Sequence, residues 1–161
     1  SFSGIDFYND SKGTNVGATI AAIKSMTKPI LLVAGGDGKN QNFNPLTYAS
    51  KDKIKHVALI GKDAEIMQKA FSASAIPNHI EKSLEDAIRK SIELANTGDV
   101  VLLSPACAST DMFKNVDSDY GNLDEIRVHF KTSVRIETKV SGTGVSNGAG
   151  MRATVSYERQ A

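Results

Sequence analysis

The sequence predicts an α/β domain with a mostly parallel sheet, flanking helices and a C-terminal β-hairpin extension. Three observations predict it. Short, continuous apolar runs at 30–33, 56–60 and 100–103 have the pattern of strands buried on both faces, as parallel sheets require. Stretches with apolar residues at helical spacing separate them, so strand and helix alternate as in βαβ units. Beyond residue 120 apolar and polar residues alternate instead, which is the period of a half-solvated antiparallel strand.

Residues 1–8 open the chain as a strand, with Phe2, Ile5, Phe7 and Tyr8 as its apolar members. The polar run 9–15 that follows is rich in N-cap residues. Val16, Ile20 and Ile23 then recur at helical spacing, which predicts a helix over 14–26 ended by Pro29. The second strand, 30–33, runs into Gly35-Gly36-Asp37-Gly38-Lys39. A polar loop over 40–45 precedes a short helix at 46–53. The third strand, 56–60, stops at Gly61, and a helix over 63–71 presents Ile66, Met67, Ala70 and Phe71 on one face. Pro77 demotes 76–80 to an edge strand. Ser83 and Asp86 form a variant capping box for a helix whose buried face is Leu84, Ala87, Ile88, Ile92 and Ala95. Gly98 stops it. The strand 100–103 breaks into the small-residue loop Ser104-Pro105-Ala106-Cys107-Ala108-Ser109, and Asp111 to Lys114 begin a short helix.

Composition narrows the function. The 161 residues are 40% apolar and 23% charged with a net charge of +1, ordinary for a globular protein. No basic stripe points to nucleic acid, and no apolar run approaches the 20 or so residues of a membrane span. A single cysteine, Cys107, fits a reducing, cytoplasmic compartment and reads as a packing residue, since no histidine stands near it. His56, His79 and His129 lack metal-ligand spacing, and no metal site is expected.

Right-handed crossovers bring all parallel strand ends to one edge. The loops after the first, second and last parallel strands therefore converge, each carrying hydroxyls, backbone N–H groups or a lysine. The natural ligand of such an edge is a carboxylate or a phosphate. Singly, each residue has a plainer role: Asp10 or Thr14 as a helix cap, Lys39 as a solvated loop lysine, Gly35, Gly36 and Gly38 as turn formers.

Together these loops carry a resemblance. Residues 8–17, Tyr8-Asn9-Asp10-Ser11-Lys12-Gly13-Thr14-Asn15-Val16-Gly17, the run Gly35 to Lys39, and residues 103–109 with Asp111, Phe113, Lys114 and Asn115 resemble the C-terminal domain of the Mur ligases. The resemblance covers about residues 1–117. It implies a Rossmann-like fold and an ATP-dependent amide-forming reaction of peptidoglycan synthesis, in which D-glutamate joins UDP-N-acetylmuramoyl-L-alanine through an acyl phosphate. It further implies that Lys39 holds a D-glutamate carboxylate, that Thr14 and Ser109 donate hydrogen bonds to it, and that Thr110 borders that pocket. Asp10 would meet the ATP ribose, and Lys12 would lie near the phosphates or the substrate carboxylate. A charge-assisted bond of this kind contributes roughly 1.5–3 kcal/mol. Thr110 and Val116 depart from the residues common in the family, leucine and an aromatic, and touch on amino-acid choice.

No G-x-x-x-x-G-K-[ST] phosphate-binding loop occurs in the chain. The family keeps that loop, and most of its hold on ATP and magnesium, in a central domain. The chain, which starts at Ser1, is thus expected to be a fragment lacking its N-terminal and central domains, with no catalytic residue of its own. The alternative is a stand-alone anion- or nucleotide-binding module. Residues 1–119 are read as the amino-acid-delivering domain and 120–161 as an extension of unknown origin, a hairpin around the Gly-rich loop 141–150.

Overall fold

The computed structural model describes residues 4–108, 125–129, 134–140 and 151–159, the last three segments by backbone alone. Five parallel strands form its centre: β1 (Asp6–Asn9), β2 (Ile30–Gly35), β3 (Ile54–Ile60), β4 (Asn78–Ile80) and β5 (Val100–Ala106). The sheet runs β4-β3-β2-β5-β1, so the chain steps from β1 past one slot to β2, continues outward, and returns with β5 to fill the gap.

Alternation inside the apolar runs builds two cores. Ile30, Leu32, Val57, Leu59, Val100 and Leu102 point to one face, and Leu31, Val33, Ala58, Ile60 and Val101 to the other. Helices α1 (Val16–Ser25), α2 (Asn44–Ser50) and α3 (Ala64–Ala73) cover the first face through Ile23, Leu46, Met67 and Phe71. Helix α4 (Leu84–Leu94) covers the second through Ala87, with Leu84, Ile88, Ile92 and Ala95 packed beside it as expected. Burying strands on both faces is what permits their lack of alternation.

Local chemistry sets the ends of these helices. Asn15 caps α1 by accepting from the Ala18 N–H at 2.9 Å, and Ser83 caps α4 by accepting from the Asp86 N–H at 3.1 Å. At the other end of α1 the Lys53 ammonium donates to the carbonyls of Ile23, Lys24 and Met26 at 3.2, 3.0 and 2.7 Å. A helix terminus leaves its last carbonyls without their usual partners; here Ile23 O also accepts from Met26 N–H at 3.2 Å.

Several sequence expectations need correction. Ile66 is 55% exposed, because α3 rolls to point Ala64, Met67 and Phe71 at the sheet. Helix α2 begins earlier, since Pro45 occupies a first-turn position where its missing N–H is harmless. Strand β5 continues through Ser104 and Pro105 to Ala106, which pairs with Gly35 across a register shift. The stretch expected as one hairpin arm divides into β6 (Glu125–His129) and β7 (Val134–Val140), and β7 pairs antiparallel with β8 (Met151–Arg159). Strand β8 in turn runs antiparallel to β1 at the sheet edge. The loop 141–150 and the short helix expected after Asp111 lie outside the described residues.

Candidate functional site

The carboxyl ends of β1, β2 and β5 are adjacent, and their loops are bound together by backbone bonds. The Asp10 N–H donates to Leu103 O at 2.7 Å, and Ala106 N–H to Gly13 O at 2.8 Å, tying the first loop to β5. Asp37 and Ala108 exchange N–H···O bonds of 2.9 Å each, tying the second loop to the end of β5. These contacts need glycine. A Cβ on Gly36, at φ +127°, would stand 2.4 Å from Ala108 O; one on Gly35, at φ +134°, would stand 1.8 Å from Ile60 O. Backbone this close leaves no room for a side chain.

Gln41 joins all three loops. Its Oε1 accepts from Val16 N–H at 3.0 Å, and its Nε2 donates to Gly38 O at 2.9 Å and Ala106 O at 3.1 Å. An amide offers two donors and an acceptor, and here each is used on a different strand end. Sequence reasoning passed over Gln41, because partners 25 and 65 residues away leave no local signal.

The candidate ligand residues sit on this frame. Lys39 is exposed, at φ +48°, and its N–H donates to Asp37 Oδ1 at 3.0 Å. Among the described residues its side chain makes no hydrogen bond or ion pair. That bond from the Lys39 N–H, with the Lys62 ammonium 3.2 Å from Oδ2, holds the Asp37 carboxyl below its ordinary range. Thr14 and Lys12 are exposed on the first loop. Asp63 Oδ2 accepts from Gly38 N–H at 2.7 Å and fixes the base of the lysine loop. Ser109 and Thr110 lie outside the described residues, as does Val116.

Asp10 is half-buried at the root of the first loop. Its Oδ2 accepts from Ser104 Oγ at 2.8 Å, and Ser104 Oγ lies 2.8 Å from Thr19 Oγ1. Burial pushes the Asp10 carboxyl up, and the Ser104 hydrogen bond pulls it part of the way back. Ser104 and Thr19 are fully buried. Cys107 is buried against Met67, Sγ to Sδ 3.8 Å, in the packing role expected of it. Among the described residues no three His, Cys, Asp or Glu side chains are grouped to hold a metal ion. No described helix is long and apolar enough to cross a membrane.

A parallel α/β sheet whose strand ends carry three cross-linked loops defines a domain of the open α/β class, in which ligands bind at the carboxyl edge. Comparison gives the family: the one described as Mur ligase, glutamate ligase domain, matches residues 1–107, and the chain belongs to it. Among its relatives is the UDP-N-acetylmuramoylalanine--D-glutamate ligase of Nitrosospira multiformis, 55% identical over 114 residues, which are 71% of this chain and 24% of that protein. Proteins of the same name from Cupriavidus metallidurans and Coxiella burnetii are 51% and 48% identical over 111 and 117 residues, covering 69% and 70% of this chain and 22% and 26% of theirs. The chain thus spans about a quarter of the length of these relatives. A crystallised domain of a Haemophilus ducreyi protein assigned as a UDP-N-acetylmuramate:L-alanyl-gamma-D-glutamyl-medo-diaminopimelate ligase shares the fold, with TM-score 0.50 and 15% identity over 66% of this chain and 83% of that one.

Proposed function

We propose that residues 1–119 are the amino-acid-delivering domain of an ATP-dependent ligase that joins D-glutamate to UDP-N-acetylmuramoyl-L-alanine in cytoplasmic peptidoglycan synthesis. The observation that carries this reading is the family match over 1–107, which takes in Asp10, Lys12, Thr14 and Lys39 on one sheet edge. In the reaction, the γ-phosphoryl group of ATP passes to the alanyl carboxylate, releasing ADP. The D-glutamate amine then attacks the acyl carbon, the C–N bond forms, and phosphate leaves.

The work of this chain is to bind and orient. Lys39, with Thr14 and Ser109, holds the D-glutamate side that does not react, and Thr110 borders the same pocket. Asp10 accepts from the ribose hydroxyls, and Lys12 faces the phosphates. By the family resemblance magnesium is held mainly by a central domain outside this chain; when bound it neutralises phosphate charge. Residues 120–161 extend the domain and have no assigned role.

Holding acyl phosphate and amine together accounts for roughly 7–11 kcal/mol of such a barrier, and one wall of a cleft cannot supply it. The test is phosphate release with UDP-N-acetylmuramoyl-L-alanine, ATP, magnesium and D-glutamate. The full-length protein carrying this segment turns over only with D-glutamate present, and the 161-residue chain alone does not. Turnover by the chain alone, or a full-length protein indifferent to D-glutamate, overturns the reading.

A further inference from the structure

The candidate ribose ligand is held from behind. Asp10 follows β1 directly, and its Oδ2 is occupied by the Ser104 hydroxyl at 2.8 Å. A serine hydroxyl has one proton. If it goes to the Asp10 carboxylate, the 2.8 Å contact with Thr19 Oγ1 must be completed by the threonine proton. This gives the order Thr19 to Ser104 and Ser104 to Asp10, with the Ser104 carbonyl, 3.4 Å from Thr19 Oγ1, as a second and longer acceptor for the threonine proton. Both hydroxyls are fully buried, on α1 and β5 respectively, where water does not compete. Gly13 closes the other side, since a Cβ there would stand 2.5 Å from Asp10 Oδ2 and 2.6 Å from Ser104 Oγ. Asp10 Oδ1 has no hydrogen-bond partner among the described residues and is the oxygen left for a ligand.

We propose that Thr19 and Ser104 are positioning residues for the nucleotide: a buried hydroxyl relay that pins Oδ2 of Asp10 and presents Oδ1 to the ribose. This rests on the assignment of Asp10 to the ribose made above. The relay carries no group transfer; it removes one rotational freedom from a carboxylate that would otherwise be ordered only when the nucleotide binds.

The test uses the full-length ligase and compares ATP with 2′-deoxy-ATP. Asp10→Ala abolishes the preference for ATP. Ser104→Ala raises the KM for ATP about three- to tenfold, the range of one lost hydrogen bond, and shrinks the preference for ATP over 2′-deoxy-ATP. It leaves the KM for D-glutamate unchanged, and the Asp10 carboxyl, followed by 13C NMR, titrates at higher pH. Thr19→Val, which removes only the relay's outer hydroxyl, moves the same quantities less and keeps the test open should Ser104→Ala fold poorly. A purely structural role lowers Tm and leaves the nucleotide preference intact. If Asp10→Ala loses the preference while both relay variants keep it, the relay is overturned and the ribose assignment stands. If Asp10→Ala keeps the wild-type preference, the ribose assignment falls and the relay with it.

Discussion

Lys39 and Gln41 stand two residues apart and do opposite work. The Lys39 side chain is exposed, and only its backbone is engaged, by Asp37 at 3.0 Å. It is therefore available to a carboxylate, and Lys39→Ala in the full-length ligase is expected to raise the KM for D-glutamate roughly ten- to a hundredfold, with little change for ATP. An unchanged glutamate KM removes Lys39 from the pocket. Gln41 is spent entirely on the frame, with bonds to Val16, Gly38 and Ala106. Gln41→Ala leaves the Val16 N–H without its partner and removes one bond each from Ala106 O and Gly38 O, the latter keeping the backbone N–H of residue 41, so we expect about 1–3 kcal/mol less stability in denaturant unfolding. A change under about 0.5 kcal/mol would show that water replaces the amide there.

At the level of elements, the lysine loop depends on glycine and the first helix on a distant lysine. Gly36→Ala forces a Cβ to 2.4 Å from Ala108 O at φ +127°. Either the Asp37–Ala108 pair opens or the backbone strains. We expect a loss of about 2–4 kcal/mol, read as a lower denaturation midpoint; wild-type stability would mean the loop can shift as a body. Lys53 closes the C-terminus of α1 with three carbonyl bonds. Lys53→Met keeps the apolar stem and removes the ammonium, so about 1–3 kcal/mol should be lost and hydrogen exchange in the last turn of α1 should quicken. Unchanged protection in that turn would count against this cap.

At the scale of the whole domain, a histidine pair away from the loops is expected to make stability depend on pH. His56 on β3 and His79 on β4 meet on the α4 face, Nε2 to Nδ1 3.2 Å, with Glu81 3.1 Å from the far nitrogen of His79. Burial, then the charges of His79 and Lys90, lower His56 from 6.5 to about 4. His79 is also lowered, mainly by burial, against the pull of Glu81. Between those values the unfolded chain binds protons that the folded pair refuses. The pair's contribution to stability is therefore full above pH 6.5, falls as pH drops toward 4, and levels off below. Both rings are partly exposed, the His79 side chain by 22%, and solvent screens part of the charge, so the loss is on the order of 1 kcal/mol. His56→Gln should flatten the slope of unfolding free energy between pH 6.5 and 4.5. Equal slopes in the two proteins would remove the pair as its source.

What the sequence by itself determined was local. Runs such as Ile30 to Val33 and Val100 to Leu103 predicted two-faced strands, and Ser83 marked the start of α4, because these signals lie within a few residues of what they specify; the α1 cap proved to be Asn15 and not Thr14, and α4 ends at Leu94, before Gly98. The loops of the candidate edge stood out for the same reason, by their composition, whereas the roles given to Asp10, Lys12, Thr14 and Lys39 came from the family resemblance. Tertiary structure alone decided the neighbours. Nothing in β5 says that it sits between β2 and β1, because a strand buried on both faces presents the same pattern at any interior position. The Gln41 frame, the Thr19–Ser104–Asp10 relay and the His56–His79 pair follow from that order. Apart from Gly38, three residues from Gln41, their partners lie 23 to 94 residues apart, and hydrogen-bond geometry over such separations is set by which strands lie side by side.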